Sequence, residues 1–131
     1  MATIWTTPAS GSPGENAYKL FLNYDGAKSN LFGDSVSATT SDVTAVPAYA
    51  IYNQTSNKLF VLLFNKDANA RAVSVSVAGY APASAAYYSF RPSSPLASRG
   101  SLQVSQGAFN ISLCTQFSLS FSRSSFLPIP Y

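Results

Sequence analysis

The stretch Ala48-Tyr49-Ala50-Ile51-Tyr52-Asn53-Gln54-Thr55-Ser56-Asn57-Lys58-Leu59-Phe60-Val61-Leu62-Leu63-Phe64-Asn65 decides the fold. Two runs rich in aromatic and aliphatic residues flank Gln54 to Asn57, four polar residues of the kind that turn a chain. This pattern predicts a hairpin in which Ala48–Asn53 pairs with Lys58–Asn65. Leu59 to Phe64 is apolar at every position. Both faces of that strand must then be covered, which predicts a central strand wedged between two layers.

Outward from the hairpin the pattern stays strand-like. Val73, Val75 and Val77 alternate with Ser74 and Ser76, and Phe117, Leu119 and Phe121 alternate with Ser118, Ser120 and Ser122. A period of two gives each strand one buried and one wet face, as in antiparallel sheets. Ser35–Thr39, Ala85–Phe90, Leu102–Ser105 and Ala108–Leu113 are further strands, the last two joined by a tight Gln106-Gly107 connection. That makes about eight short strands with turns every 8 to 12 residues, and no helical stretch after Ser35 of the kind a βαβ crossover needs. The expectation is an all-β fold, an antiparallel two-sheet β-sandwich.

The N-terminal part reads differently. Residues 7–16 combine two Pro and two Gly with small polar side chains, so residues 1–16 are expected to be a linker or N-terminal arm, with the sandwich over 17–131. Ala17 to Tyr24 places Tyr18, Phe21 and Leu22 at helical spacing. A short extended run is the other reading of these residues, and a short helix or turn is favoured.

Composition narrows the function. The 131 residues suit one domain, and a hydrophobic content of 47% with 14% aromatics is enough to build a core. Charged residues are only 10%, against about 25% in ordinary soluble domains, and the net charge is +3 with Lys and Arg spread singly. Nucleic-acid binding needs clustered cations, so it is not expected. No run approaches the length of apolar chain that crosses a bilayer, and the first residues lack the pattern of a secretion signal. With no His, one Cys and one Glu, the usual materials of acid–base, nucleophilic and transition-metal chemistry are missing, so no enzyme activity, cofactor or metal is expected. Cys114, in an apolar run, is expected to be a buried small hydrophobe.

Among the carboxylates, Glu15 falls in the arm and Asp67 in a polar turn, leaving Asp25 and Asp34 as the one pair available for catalysis, or with Asn23 for calcium. Both adjoin glycines, and a turn role is the simpler reading. The aromatics divide into core and surface. Phe60, Phe64, Phe109, Phe117 and Phe121 occupy inferred inward positions, while Trp5, Tyr80, Tyr87, Tyr88 and Tyr131 lie near polar or proline-bearing segments. Of these, Trp5, Tyr87 and Tyr88 are the candidate carbohydrate-binding residues, because sugar rings stack on exposed Tyr and Trp faces. Tyr87 and Tyr88 must point to opposite faces if they lie on a strand. The serine rows at 74 and 76 and at 118, 120 and 122 would form a flat neutral surface, left to solvent or open to a partner domain, a polysaccharide or a second copy.

Asn23-Tyr24-Asp25-Gly26, followed by Phe32-Gly33-Asp34-Ser35-Val36 and Ala38-Thr39-Thr40-Ser41-Asp42, resembles the C-terminal β-sandwich domain of family 44 glycoside hydrolases and related cellulase-like enzymes. Trp5-Thr6-Thr7-Pro8, Ala17-Tyr18-Lys19-Leu20-Phe21, Tyr49-Ala50 and Leu59 to Lys66 are similar in order and spacing. Cys114 and Thr115 depart from the pattern, standing where the family carries a proline-bearing approach to its last strand. In that family the catalytic carboxylates sit in a β/α barrel, which this chain lacks, so the resemblance implies an accessory module without activity. Its implied partners are a β-glucan-class polysaccharide or a glycoside hydrolase catalytic domain, and its implied location is extracellular. A structural, self-assembling β-sandwich is the alternative. Without a partner, Tyr18, Phe21 and Leu22 are expected to be exposed and to favour self-association.

Overall fold

The structure is a computed structural model that describes residues 6–79, 82 and 84–114, with the backbone of 118–124. Among the described residues one helix, α1 (Pro13–Leu22), precedes eight strands. These are β1 (Asp34–Val36), β2 (Ala48–Asn53), β3 (Lys58–Asn65), β4 (Arg71–Ser76), β5 (Ser84–Arg91), β6 (Ser94–Gln103), β7 (Ala108–Leu113) and β8 (Ser118–Ser124). Six of them form a sheet in the order β1-β2-β3-β8-β5-β6, and β4 and β7 pair in a second, two-stranded sheet. All pairings are antiparallel.

The hairpin Ala48–Asn65 forms in the expected register, Ala48 opposite Leu63 and Asn53 opposite Lys58. Its second strand, β3, is central, with β2 on one side and β8 on the other. Its continuous apolar run serves two cores. Phe60 and Leu62 pack with Leu20 and Tyr24 of the helical segment and with Phe90. Leu63, on the other face, packs with Val46 and with Phe109, Ile111 and Leu113 of β7. The order of layers is therefore helix, large sheet, small sheet. Leu20 and Leu113 are fully buried, one in each core, and burial of a leucine side chain stabilises by about 1.5 to 3 kcal/mol.

The sequence reading needs four corrections. First, Pro13 to Asn16 are helix, not arm. Ser12 caps the helix by accepting the Glu15 N–H, Pro13 begins it, and Glu15 reaches back to the Gly11 N–H at 2.6 Å, a reciprocal cap that offsets the Gly and Pro content. Its buried face is Asn16 and Leu20, whereas Phe21 and Leu22 are exposed.

Second, the strand expected at Leu102–Ser105 is the longer β6, Ser94–Gln103, while the tight Gln106-Gly107 connection forms as expected and joins strands of different sheets. A Ser105–Ala108 bridge closes the Gln106-Gly107 turn, but β6 pairs with β5 and β7 crosses to β4. Third, the two serine rows do not make one surface, because β4 lies in the small sheet and β8 in the middle of the large one. Fourth, Cys114 is exposed. Along β7 the inward positions are Phe109, Ile111 and Leu113, and the same alternation turns the next residue outward.

Asn65 joins the layers at the end of β3. It is completely buried, donates through Nδ2 to the carbonyls of Asn69 and Cys114 (2.9 and 2.7 Å), and accepts the Asp67 N–H. A buried amide must be satisfied in this way or it costs stability.

Candidate functional site

The candidate glycan-binding aromatics do not converge. Trp5 lies outside the described residues. Tyr87 and Tyr88 are successive residues of β5 and face opposite layers. Tyr88 meets Tyr24 edge-on, ring centroids 5.3 Å apart, at the margin of the helix-side core, and Tyr87 packs at the margin of the other core. Each is half-buried.

Large exposed apolar side chains occur elsewhere, on the helix side. Phe32 is 69% exposed, Leu22 63%, Tyr49 58% and Phe21 42%. The Leu31 N–H donates to the Phe21 carbonyl at 2.8 Å, which holds Phe32 beside the C-terminal end of α1. Tyr49 projects from β2 on the same side of the sheet, since its cross-strand partner is Leu62, and it stands edge-on to Phe64 at 5.7 Å. Exposed apolar side chains of this size beside the end of a helix mark an interaction site. Phe21 and Leu22 were legible from sequence; Phe32 and Tyr49 were not singled out, although Tyr49 alternates with Ala48 and Ala50 as an outward residue does.

The carboxylates serve local structure. Asp25 Oδ1 accepts the N–H groups of Ala27 and Ser29 within one turn. Hydrogen bonding from the Ser29 side chain is the main cause that lowers its pKa. The Gly11 N–H, and after it Lys19, lowers that of Glu15. Arg71, which grips Asp67 through Nε at 2.7 Å and through Nη2, lowers that of Asp67. Asp42 Oδ1 holds the Ala45 N–H, and Asp34 lies on β1 opposite Tyr52. Glu15, Asp25 and Asp67 are thus shifted away from the raised pKa that a general acid requires. Among the described residues no three His, Cys, Asp or Glu side chains gather as a metal would need.

A groove of about 970 Å³ lies between the two sheets. Its floor is the β1–β3 part of the large sheet, with Val36, Ala48, Ala50, Val61 and Leu63, and one wall is β4 with Val73 and Val75. Among the described residues the large sheet has six strands and the small one two, and the loop of residues 37–42 lines the groove together with the floor and β4. Small Ala48 and Ala50 keep the floor low.

Comparison with known proteins fits this picture of a module. No family model matches the chain. Over 59 residues, 44% of its length, the chain is 44% identical to the beta-mannanase/endoglucanase A of Caldicellulosiruptor saccharolyticus, of which the match spans 4%. Its fold is similar to part of CelM2, a bifunctional glucanase-xylanase from a metagenome library (TM-score 0.84, 26% identity, 93% of this chain and 24% of that one). It is also similar to part of a xyloglucanase of glycoside hydrolase family 44 from Paenibacillus polymyxa (TM-score 0.75, 28% identity, 84% and 22%). The chain spans about a quarter of these solved enzymes. The resemblance to the β-sandwich of family 44 and related glycoside hydrolases therefore holds in three dimensions, and it sets the protein among the relatives of polysaccharide-degrading enzymes.

Proposed function

We propose that this chain is a non-catalytic accessory β-sandwich of a polysaccharide-degrading enzyme, seated against the catalytic domain through the apolar face at the end of α1. The observation that carries the reading is the asymmetry of the match: 93% of this chain corresponds to 24% of a far longer enzyme. The face formed by Phe21, Leu22 and Phe32 supports it, since burying side chains of this size against a partner gains about 25 cal/mol per Å² of apolar area. Low charge favours such packing because few ions must be desolvated. Polymeric glycans are met outside the cell, and the reading places the module there.

Co-elution tests it. Mixed with a family 44 catalytic domain freed of its own sandwich, the chain is expected to co-elute on gel filtration, and Phe21→Ser, Leu22→Ser and Phe32→Ser together abolish this. Separate elution of the unaltered chain overturns the reading.

A second reading, direct binding of a β-linked glycan, draws on Tyr49. Its exposed ring is braced by Phe64, as a stacking platform for a sugar must be. Trp5, Tyr87 and Tyr88 remain its other proposed contacts. Retention by cellulose or xyloglucan in affinity electrophoresis, lost in Tyr49→Ala, would favour it over packing alone.

A further inference from the structure

Charge is divided unevenly along this chain. All five carboxylates, Glu15, Asp25, Asp34, Asp42 and Asp67, precede residue 68, and every arginine, Arg71, Arg91, Arg99 and Arg123, follows it. Arg71 is neutralised by Asp67, just as Lys19 is by Glu15. Arg91 and Arg99 have no carboxylate partner among the described residues.

The fold brings these two arginines to one place. β5 and β6 turn through Pro92 and Ser93, with Arg91 opposite Ser94 at the last rung of the ladder. Ser89 and Arg91, two apart on β5, share a face of the sheet. Arg99 reaches from β6 onto that face. Its Nε donates to Ser89 Oγ at 3.1 Å, and its Nη2 donates to Ser94 Oγ at 2.7 Å and to the Pro95 carbonyl at 3.3 Å. The Arg99 guanidinium therefore spans both strands beside the residue that stands opposite Arg91, and both arginines are exposed.

This arrangement selects its ligand. Three hydrogen bonds fix the orientation of Arg99, and no described residue accepts from its Nη1. The hydroxyls of Ser89 and Ser94, having accepted from Arg99, keep their own O–H groups to donate. Arg91 has no hydrogen-bond or ion-pair partner among the described residues. Like charges close together on neighbouring strands cost stability, and an anion seated between them removes that cost. A planar guanidinium fork matches a planar carboxylate through paired, charge-assisted hydrogen bonds, which a lysine ammonium cannot reproduce.

We infer that Arg91 and Arg99 bind the carboxylate of a uronic acid residue in a polysaccharide, with Ser89 and Ser94 donating to the same sugar. Among the groups a plant-type sugar polymer presents, the uronic acid carboxylate is the one that meets two guanidiniums and two hydroxyl donors; a neutral glucan has no anion to offer. That a polysaccharide carries the carboxylate rests on the accessory reading; that this pair of arginines takes a carboxylate does not.

Affinity electrophoresis of the whole chain in gels containing glucuronoxylan tests this. Retardation is expected, and it should be lost when the carboxyls of the same polymer are reduced to primary alcohols. Arg91→Gln and Arg99→Gln should each weaken binding about tenfold. Arg99→Lys, which keeps the charge but not the fork, should weaken it nearly as much. Arg91 has no partner in the fold, so its variant tests the site without disturbing folding. Arg71→Gln, of equal net charge and in the small sheet, should bind as the unaltered chain does. Polygalacturonate in place of glucuronoxylan separates main-chain from side-group carboxylates, and retardation by either supports the inference. It is overturned if neither acidic polymer retards the chain, if the reduced polymer retards it equally, if dextran sulfate binds as tightly, or if Arg71→Gln costs as much as Arg91→Gln. Co-elution with the catalytic domain should survive Arg91→Gln. Its loss in that variant would assign the arginines to a protein partner and overturn the inference, whereas separate elution of the unaltered chain overturns the accessory reading alone.

Discussion

Asn16 Oδ1 accepts the backbone N–H of Leu96 at 2.9 Å, across 80 residues of sequence, and so pins helix α1 to edge strand β6. Asn16 is almost completely buried, and its Nδ2 returns to the carbonyls of Ser12 and Gly11 at the helix start. One side chain thus closes the helix and fixes it on the sheet. Replacing it with Leu leaves the Leu96 N–H without its partner and is expected to destabilise the domain by about 1 to 3 kcal/mol. Urea unfolding reads this as a lower midpoint with an unchanged slope.

The cap beside Asn16 shows what was legible and what was not. Ser12-Pro13-Gly14-Glu15 carries a complete helix-start signal, but the Pro and Gly of its surroundings favoured a linker. The Ala48–Asn65 hairpin was legible to the residue, because period and turn chemistry agree there. β6 was read too short: Pro95 and Gly100 interrupt the pattern, and register shifts on β5 absorb the irregularity. The groove could not be read locally. It depends on which sheet β4 and β7 join, a long-range pairing that no window of sequence contains.

Gly33 has φ of +147° and packs against β2, where a Cβ would stand 2.6 Å from the Tyr52 carbonyl carbon and 2.8 Å from the Asn53 nitrogen. Gly33→Ala must therefore push β1 off β2 as well as strain its own backbone. The expected cost is about 2 to 4 kcal/mol. Hydrogen exchange should show the loss first at Asp34–Val36, the strand that follows.

Asn65→Ala removes the donor shared by Asn69 and Cys114 and the acceptor for Asp67. The carbonyls of Asn69 and Cys114 lose their partner and a small cavity opens, for an expected loss of about 2 to 4 kcal/mol. Asn65→Asp keeps the acceptor but loses both donors, and should be no more stable than the alanine variant near neutral pH. Thermal unfolding of the two variants checks the order.

Glu15, Asp25 and Asp67 all have folded-state pKa values below the ordinary 3.8 to 4.5 of these side chains. A depressed pKa means that the folded protein holds fewer protons than the unfolded chain in acid, so stability is full above the ordinary values and falls as pH drops through the lowered ones. Unfolding in urea is expected to show a plateau from about pH 7 to pH 5 and a decline below about pH 4. Asp25→Asn removes one of these contributions, and its curve should flatten at the acid end.

The exposed Phe21, Leu22 and Phe32 leave a mark even without a partner. Apolar surface of this extent seeks cover, and the domain carries few charges to hold copies apart. Light scattering is expected to show reversible association that rises with protein concentration and strengthens with sulfate, as burial of apolar surface does. The variant with serine at all three positions should stay monomeric with little change in unfolding midpoint, because these side chains contribute little to the core of the isolated chain. Association that persists in the triple variant, or that weakens with sulfate, would assign the contact to another surface.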